Sequence, residues 1–344
     1  MSAWLEKTSG HFPCIKAART PAQKLGVEHQ NVSYEKEPKN IAGQIRPGTL
    51  VAGTKWLFAR EGIVDQFDCL VVDEAGQVAT SDIIAISRSA KNLVLLGDQM
   101  QLGQPTKGAH PGESGSSSLE YLLEGRPTIS PAMGVFLRDT YRLHPEICEL
   151  ISTAIYDGRL RPKEHTGHRI IRLPKSGGNL VRKEAGLVFV GVDHEGNRQG
   201  SLEEVEIVQK LVAELTGRTR TDENGKDVGP VTLEDILFVA PYNLQVRHLQ
   251  DVLGPDARVG SVDKFQGQEA PIVILSMGSS DADSSPRGLS FLLNKNRLNV
   301  ALSRAQSLAI VVASPRLAHP RCTSPEQMKM ANLMCRLIES GTSF

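Results

Sequence analysis

No apolar run in this 344-residue chain is long enough to cross a bilayer. Stretches such as Cys69–Val72 and Leu308–Ala313 stop far short of the roughly 20 residues a membrane helix needs. The opening Met1–Gly10 carries Glu6 and Lys7 where a secretory signal would be apolar. These absences argue against a membrane partner and predict a soluble, cytoplasmic protein. The five cysteines, Cys14, Cys69, Cys148, Cys322 and Cys335, contain no CxxC pair. That excludes a zinc knuckle or a disulfide framework and leaves free thiols in a reducing compartment. Net charge is missing as well: 39 Lys and Arg balance 39 Asp and Glu, so no global positive field points to a polyanionic partner, although a local groove remains open. No internal repeat is present.

What is present is a globular balance, 40% apolar and 23% charged, in a chain whose length predicts about two domains. From about Thr49 onward, short apolar runs alternate with helical patterns. The runs are Leu50–Ala52, Cys69–Val72, Leu93–Leu96, Leu187–Val190, Ile236–Ala240, Ile272–Ser276 and Leu308–Ala313. Continuous runs of this kind predict strands buried on both faces of a parallel sheet, hence an α/β fold. A further short strand is expected around Val32–Tyr34. Ser201 and Glu204 form a capping-box pattern ahead of apolar Val205, Val208, Leu211 and Leu215, with Gly217 as the stop, which predicts a packing helix. The turn-rich Glu124–Gly134 suggests a division into residues 1–130 and 131–344. Ahead of it, Gly108–Ser118 reads as an exposed loop.

Chemistry gathers at strand ends. Leu70-Val-Val runs into Asp73-Glu74, and acids at the carboxyl end of a buried strand sit where open α/β sheets bind ligands. An acid there can hold Mg²⁺ and its neighbour can take a proton from attacking water; the same pair is equally common as a helix cap. Leu93–Leu96 ends in Gly97-Asp98-Gln99-Met100-Gln101-Leu102, where the Gln101 amide can accept from water and donate to a phosphate oxygen. Arg142 follows Tyr141 and precedes His144-Pro145; its guanidinium can fork onto phosphate, while Tyr141 could equally be core. Val259–Glu269 precedes the run Ile272–Ser276. Arg297 and Arg304 lie seven residues apart, on one face if the segment is a helix.

Five of these segments, in this order and spacing, resemble the superfamily 1 helicases of the group that contains the nonsense-mediated-decay helicase. The residues are Asp73-Glu-Ala-Gly, Gly97-Asp-Gln-Met-Gln-Leu, Thr140-Tyr-Arg-Leu-His-Pro, Ser261-Val-Asp-Lys-Phe-Gln-Gly-Gln-Glu and Arg297-Leu-Asn-Val-Ala-Leu-Ser-Arg-Ala. Pro241-Tyr-Asn-Leu-Gln245 is similar to the short element the family carries between the third and fourth. Gly53-Thr-Lys-Trp56, Pro286-Arg-Gly288 and the tail around Met328–Asn332 resemble bacterial members fused to a RecB-like nuclease. The resemblance implies two RecA-like lobes with parallel sheets, the first incomplete at its N-terminus, and ATP with Mg²⁺ held in the cleft between the lobes. On that basis Asp73 would hold the metal, Glu74 would activate water and Gln101 would sense the γ-phosphate. Arg142 and Arg304 would act as arginine fingers, Tyr141 would stack on the base, Glu269 would meet the ribose and Arg297 would join the nucleotide site. Single-stranded nucleic acid, DNA ahead of RNA, would contact Thr54 and Ser261. A separately encoded or fused nuclease or phosphate-loop region is the further partner implied.

Between Arg159 and Lys183 stand Arg159, Arg161, Lys163, Arg169, Arg172, Lys175, Arg182 and Lys183 against the single acid Glu164. Such a run could track a phosphate backbone or be a solvated loop. No G-x-x-x-x-G-K-(S/T) occurs; the nearest approach is Gly103-Gln-Pro-Thr-Lys-Gly108. The chain therefore resembles a carboxyl-terminal portion. Three or four charge-assisted bonds of about 1.5–3 kcal/mol each would be forgone, approaching the roughly 8 kcal/mol of micromolar binding, so weak ATP binding, slow hydrolysis and exposed apolar sheet surface are expected. The rival is a non-hydrolysing module that grips nucleic acid or a partner. A different α/β nucleotide-hydrolysing enzyme, such as a kinase, would not call for Tyr141-Arg142, Phe265-Gln266-Gly267 and the paired arginines in sequence.

Overall fold

The computed structural model describes residues 13–17, 32–103, 108, 110–174 and 180–341. Lys175 and the Gln104–Lys107 stretch of the nearest phosphate-loop approach fall outside the described residues. The chain divides into two units, Met1–Gln99 with Gly103–Gly125, and Met100–Leu102 with Arg126–Phe344.

In the first unit, strands β1 (Cys14–Ala17), β2 (Val32–Glu35) and β3 (Leu50–Ala52) form a parallel sheet of order β2-β1-β3. Helix α1 (Lys55–Phe58) follows, and then β4 (Phe67–Val72), helix α2 (Thr80–Ser87), β5 (Ala90–Leu95) and helix α3 (Ser118–Leu123). Strands β4 and β5 pair in parallel as a separate two-stranded sheet. Leu70 and Val72 of β4 face a core with Leu57, Phe58, Ile83, Ile86 and Leu119. The alternate positions Cys69 and Val71 of β4 do not, Val71 being 56% exposed, and in β5 the successive Leu93 and Val94 are both exposed. This corrects the expectation of strands buried on both faces. The run is continuous in sequence, yet among the described residues only one face of this pair meets a core.

The second unit meets that expectation. After the short parallel pair β6 (Asp139–Thr140) and β7 (Arg161–Pro162), with helix α4 (Pro145–Ile155) between them, comes β8 (Gly186–Gly191). Helix α5 (Leu202–Leu215) leads to the antiparallel pair β9 (Thr219–Thr221) and β10 (Asp227–Pro230). Then follow β11 (Ile236–Val239), α6 (Asn243–Leu253), β12 (Arg258–Gly260), β13 (Ala270–Ser276), the short α7 (Leu289–Leu292), α8 (Lys295–Leu302), β14 (Ala305–Ala313) and α9 (Pro325–Gly341). The five-stranded sheet has order β12-β11-β13-β14-β8, parallel throughout.

Side chains alternate across a strand, so each strand here feeds two cores. Ile272 and Ile274 of β13, with Leu308, Ile310 and Val312 of β14, join a cluster with Val205, Val208, Leu211 and Leu215 of α5. Val273 and Leu275, with Ala309 and Val311, join the other, with Ile147 and Ile151 of α4 and Met334 and Leu337 of α9. Helices on both faces are what makes uninterrupted apolar strands the stable choice. No helix of the described residues is long and apolar enough to cross a membrane.

The capping box expected at α5 is half formed. Ser201 Oγ accepts from Glu204 N at 3.1 Å, but the Glu204 carboxyl does not reach back. It is fully buried and instead accepts from Ser276 Oγ at 2.6 Å and Gly278 N at 2.9 Å, and meets His194 Nε2 at 3.0 Å. A buried polar group needs partners, and the ends of β8 and β13 supply them.

Candidate functional site

Asp73 and Glu74 follow β4 at its carboxyl end, both exposed. Asp73 Oδ1 accepts from Glu74 N at 3.0 Å, and Glu74 Oε2 accepts from Gln77 Nε2 at 3.1 Å. Glu74 heads a single turn at Ala75–Gln77 in the left-handed region, φ 53°, and its side chain makes no capping bond. The alternative that the pair is merely a side-chain cap therefore fails. Holding a non-glycine residue there costs on the order of 1–3 kcal/mol, a strain typical of functional turns. Two glycines enforce the turn. A Cβ on Gly76 would stand 2.6 Å from the Asp98 carbonyl oxygen, and one on Gly97 would stand 2.8 Å from Ala75 N, so the segments after β4 and β5 lie backbone against backbone. Thr54 precedes α1, exposed and without a side-chain capping bond; Trp56 beside it is 74% exposed.

Mg²⁺ takes one or two carboxylates and fills the rest of its shell with water and phosphate oxygens. The described residues hold no group of three or more His, Cys, Asp or Glu able to bind a metal alone. A single exposed Asp73, with one oxygen engaged by the backbone, fits that partial role and no fuller one.

In the second unit, the parallel sheet has an amino edge and a carboxyl edge, and the candidate residues separate between them. Met100–Leu102 packs into this unit, although it directly follows the first unit's β5 segment. Asn296 Nδ2 donates to Gln101 O at 2.9 Å, and Asn299 Nδ2 donates to Met100 O at 2.9 Å and to Tyr156 Oη at 2.7 Å. Arg304, immediately before β14, is 3% exposed. It donates through Nε to Val300 O at 3.1 Å, through Nη1 to Gln268 O at 3.4 Å and through Nη2 to Gln101 Oε1 at 3.2 Å.

Arg142 pairs through Nε with Glu269 Oε2, and its Nη1 donates to Ser303 O at 3.3 Å. Gln306 Nε2 donates to Glu269 Oε1 at 2.8 Å. Burial alone would raise the Glu269 carboxyl, but the bond and charge from Arg142, with Gln306 adding a donor, hold it below the ordinary glutamate value. Gln101, Arg142, Glu269 and Arg304 thus gather at the amino edge, where β13 and β14 begin. Tyr141 is 62% exposed and is not core; its ring faces Lys163 Nζ at 5.5 Å and His165 at 5.9 Å. A cleft of about 280 Å³ opens on this edge, lined among others by Arg169, Arg220, Asn224, Gln306 and Ser307.

Arg297 does not join them. The helix α8 ends at Leu302, so Arg304 lies beyond it and the two arginines do not share a helix face. Arg297, in the first turn, pairs with Asp263 at 3.2 Å and lines a second cleft of about 350 Å³ with Ser261, Tyr242, Asn243 and Arg287. The sequence offered no breaker at Ser303-Arg304 to mark the helix end.

Half of the basic run is paired with acids: Lys163 with Asp139, Arg169 with Glu223, Arg172 with Asp227 and Lys183 with Glu146. Every one of these acids lies outside the run. Among residues not anticipated, Gln306 carried no signal beyond being a polar letter next to an apolar run, whereas Asn299 is a polar residue on the buried face of a helix.

An α/β chain with acids after one strand, a glutamine meeting a buried arginine, and an arginine–glutamate pair, in five ordered motifs, defines the superfamily 1 helicase class. Comparison with known proteins agrees. Residues 116–316 match the AAA domain family and residues 47–106 match a second AAA domain. The DNA-binding protein SMUBP-2 of Mesocricetus auratus is 31% identical over 267 residues, 73% of this chain and 25% of its own length. The RNA helicase Mov10l1 of Mus musculus is 29% identical over 76% of this chain and 24% of its own. The DNA polymerase alpha-associated DNA helicase A of Schizosaccharomyces pombe is 27% identical over 72% of this chain and 37% of its own. The chain belongs to the AAA domain family. It spans between 24% and 37% of the length of these relatives.

Proposed function

We propose that the chain is part of an ATP-driven motor on single-stranded nucleic acid. The observation that carries this is the bond, within the second unit, from Arg304 Nη2 to Gln101 Oε1, which joins residues some two hundred positions apart that the family resemblance casts as arginine finger and γ-phosphate sensor. MgATP, when bound, supplies a γ-phosphoryl group for transfer to water. Asp73 would hold the metal and Glu74, projected by its strained turn, would take the proton of the attacking water. Gln101 would orient that water. Arg142 and Arg304 would stabilise charge on the phosphoryl oxygens, an arginine finger being worth roughly 10³ to 10⁵ in rate. Each guanidinium is partly engaged by protein acceptors, Arg142 by Glu269 and Ser303 and Arg304 by Val300, Gln268 and Gln101, and a phosphate would compete with Glu269 and Gln101 for them. Exposed Tyr141 offers a face to the base and Glu269, once released, an acceptor to the ribose. Thr54 and Ser261 would touch the nucleic-acid backbone.

DNA is the preferred track, the compartment the cytoplasm, and a RecB-like nuclease, fused or separate, the preferred companion; these rest on the sequence resemblance. The test is phosphate release from ATP with and without single-stranded DNA. With no G-x-x-x-x-G-K-(S/T) in its 344 residues, the chain alone should turn over slowly, and Glu74→Gln and Arg304→Ala should each abolish what turnover there is. Turnover indifferent to both substitutions would sink the motor assignment. The protein acceptors already on these guanidiniums favour one alternative, a module that grips nucleic acid without hydrolysis; strong DNA binding with no turnover at all would select it.

A further inference from the structure

The second cleft holds an arginine that no role above uses. Arg287 lies in the segment between β13 and α7, exposed, and its guanidinium carbon sits 3.7 Å from the Phe291 ring centroid. Arg297 reaches the same ring at 4.6 Å. Two like charges are therefore held against one aromatic side chain. Only one carboxylate, Asp263, lines the cleft with them, and it pairs with Arg297 at 3.2 Å. Arg287 makes no ion pair among the described residues, so the cleft keeps an excess positive charge.

The geometry is braced. Phe291 packs on Tyr242 at 5.3 Å, and the Tyr242 hydroxyl bonds Ser285, two residues before Arg287. The segment that carries Arg287 is tied at its other end, where Gly278 N donates to buried Glu204. An arginine stacked on an anchored ring loses little freedom when it binds, which is how a site is preorganised for an anion. The cleft also receives the Ser261 side and the first residues of α6, Asn243 and Leu244; no side chain caps that helix, so its leading N–H groups add donors. All of this lies at the carboxyl edge of the sheet, the end opposite Gln101, Arg142, Glu269 and Arg304.

We propose that this cleft is a phosphodiester clamp in which Arg287 and Arg297, stacked on Phe291, grip backbone phosphates of the single-stranded track beside Ser261. The proposal rests on the nucleic-acid part of the function above and reassigns Arg297 from nucleotide to track. Phosphate could also arrive on a mononucleotide, and the experiment separates the two sources. Binding of the chain to a fluorescein-labelled oligothymidylate of about fifteen nucleotides is followed by anisotropy between about 50 and 200 mM salt, alongside binding of a fluorescent ATP analogue. Arg287→Gln should weaken oligonucleotide binding about tenfold and reduce the slope of log K against log salt by about 1, leaving analogue binding unchanged. Arg287→Lys should keep the slope, since the charge remains. Because Arg287 is exposed, both variants should melt with the parent. An unchanged affinity and slope in Arg287→Gln, with the parent binding DNA, overturns the clamp alone; lost analogue binding with intact DNA binding assigns the cleft to a mononucleotide and also overturns it. A parent chain that binds no oligonucleotide overturns the clamp and the proposed track together.

Discussion

Removing the Glu204 side chain tests whether the polar knot at the carboxyl edge of the second sheet is structural. Its carboxyl group is fully buried and has three neighbours: Ser276 Oγ, Gly278 N and His194 Nε2. His194 in turn reaches Ser280 Oγ at 2.8 Å, and Ser276 Oγ accepts from Gln245 Nε2 at 2.8 Å. In Glu204→Ala the serine hydroxyl can turn elsewhere, but Gly278 N and the imidazole lose their partner inside the protein. A buried orphan costs about 1–3 kcal/mol, so two of them plus the vacated volume give about 3–5 kcal/mol. Glu204→Gln keeps the shape and one acceptor oxygen but turns an amide N–H toward a donor, so about 1–2 kcal/mol is expected. Urea unfolding followed by far-UV circular dichroism gives the totals, and hydrogen exchange by mass spectrometry locates them, with lost protection in β13 and β14 and none in β4 and β5. A Glu204→Ala variant within about 1 kcal/mol of the parent would mean that water or rearrangement satisfies these groups and the knot does not brace the loops.

Two further outcomes follow from titratable groups. Glu269 has a lowered folded value, so its pairing with Arg142 stabilises above the ordinary glutamate value of about 4.3 and is lost as pH falls through the lower folded value; the melting temperature of the parent should therefore drop more steeply with acid than that of Glu269→Gln, and parallel curves would refute the pairing. Cys148 is 1% exposed and burial pushes its thiol up to about 11, whereas Cys69 is exposed; a thiol reagent near pH 8 should modify Cys69 in the native chain and reach Cys148 only on unfolding, as peptide mapping would show.

The second unit was the more legible of the two because its strands carry their own evidence. Ile272–Ser276 and Leu308–Ala313 are apolar at every position, and only a sheet packed on both faces rewards that. Leu93–Leu96 shows the same letters, but what covers a strand depends on neighbours that its own sequence does not name. The amino-edge group, Gln101, Arg142, Glu269 and Arg304, was legible as members of separate motifs that the resemblance gathers around one nucleotide; the bonds they make to one another, such as Arg304 to Gln101, were not, since contacts so far apart in the chain leave no trace in spacing. The expectation that Arg297 and Arg304 share a helix face failed for a local reason. Their seven-residue interval fits a helix, and neither glycine nor proline interrupts it, yet the helix stops at Leu302. Glu204 matches a capping box letter for letter, and the pattern cannot say that His194, Ser276 and Gly278 compete for the carboxyl.

The eight-residue helix α8 has Arg297 in its first turn and Arg304 just past its last, a rod about 12 Å long. Leu298 through Leu302 are all buried, so the rod is gripped along its middle and has no slack to bend. A pull on the Arg304 end, such as the proposed phosphate would exert in drawing that guanidinium away from Gln101, would therefore be carried to the Arg297 end with little loss. On the proposed reading, fuel and track would meet the two tips of a single short strut.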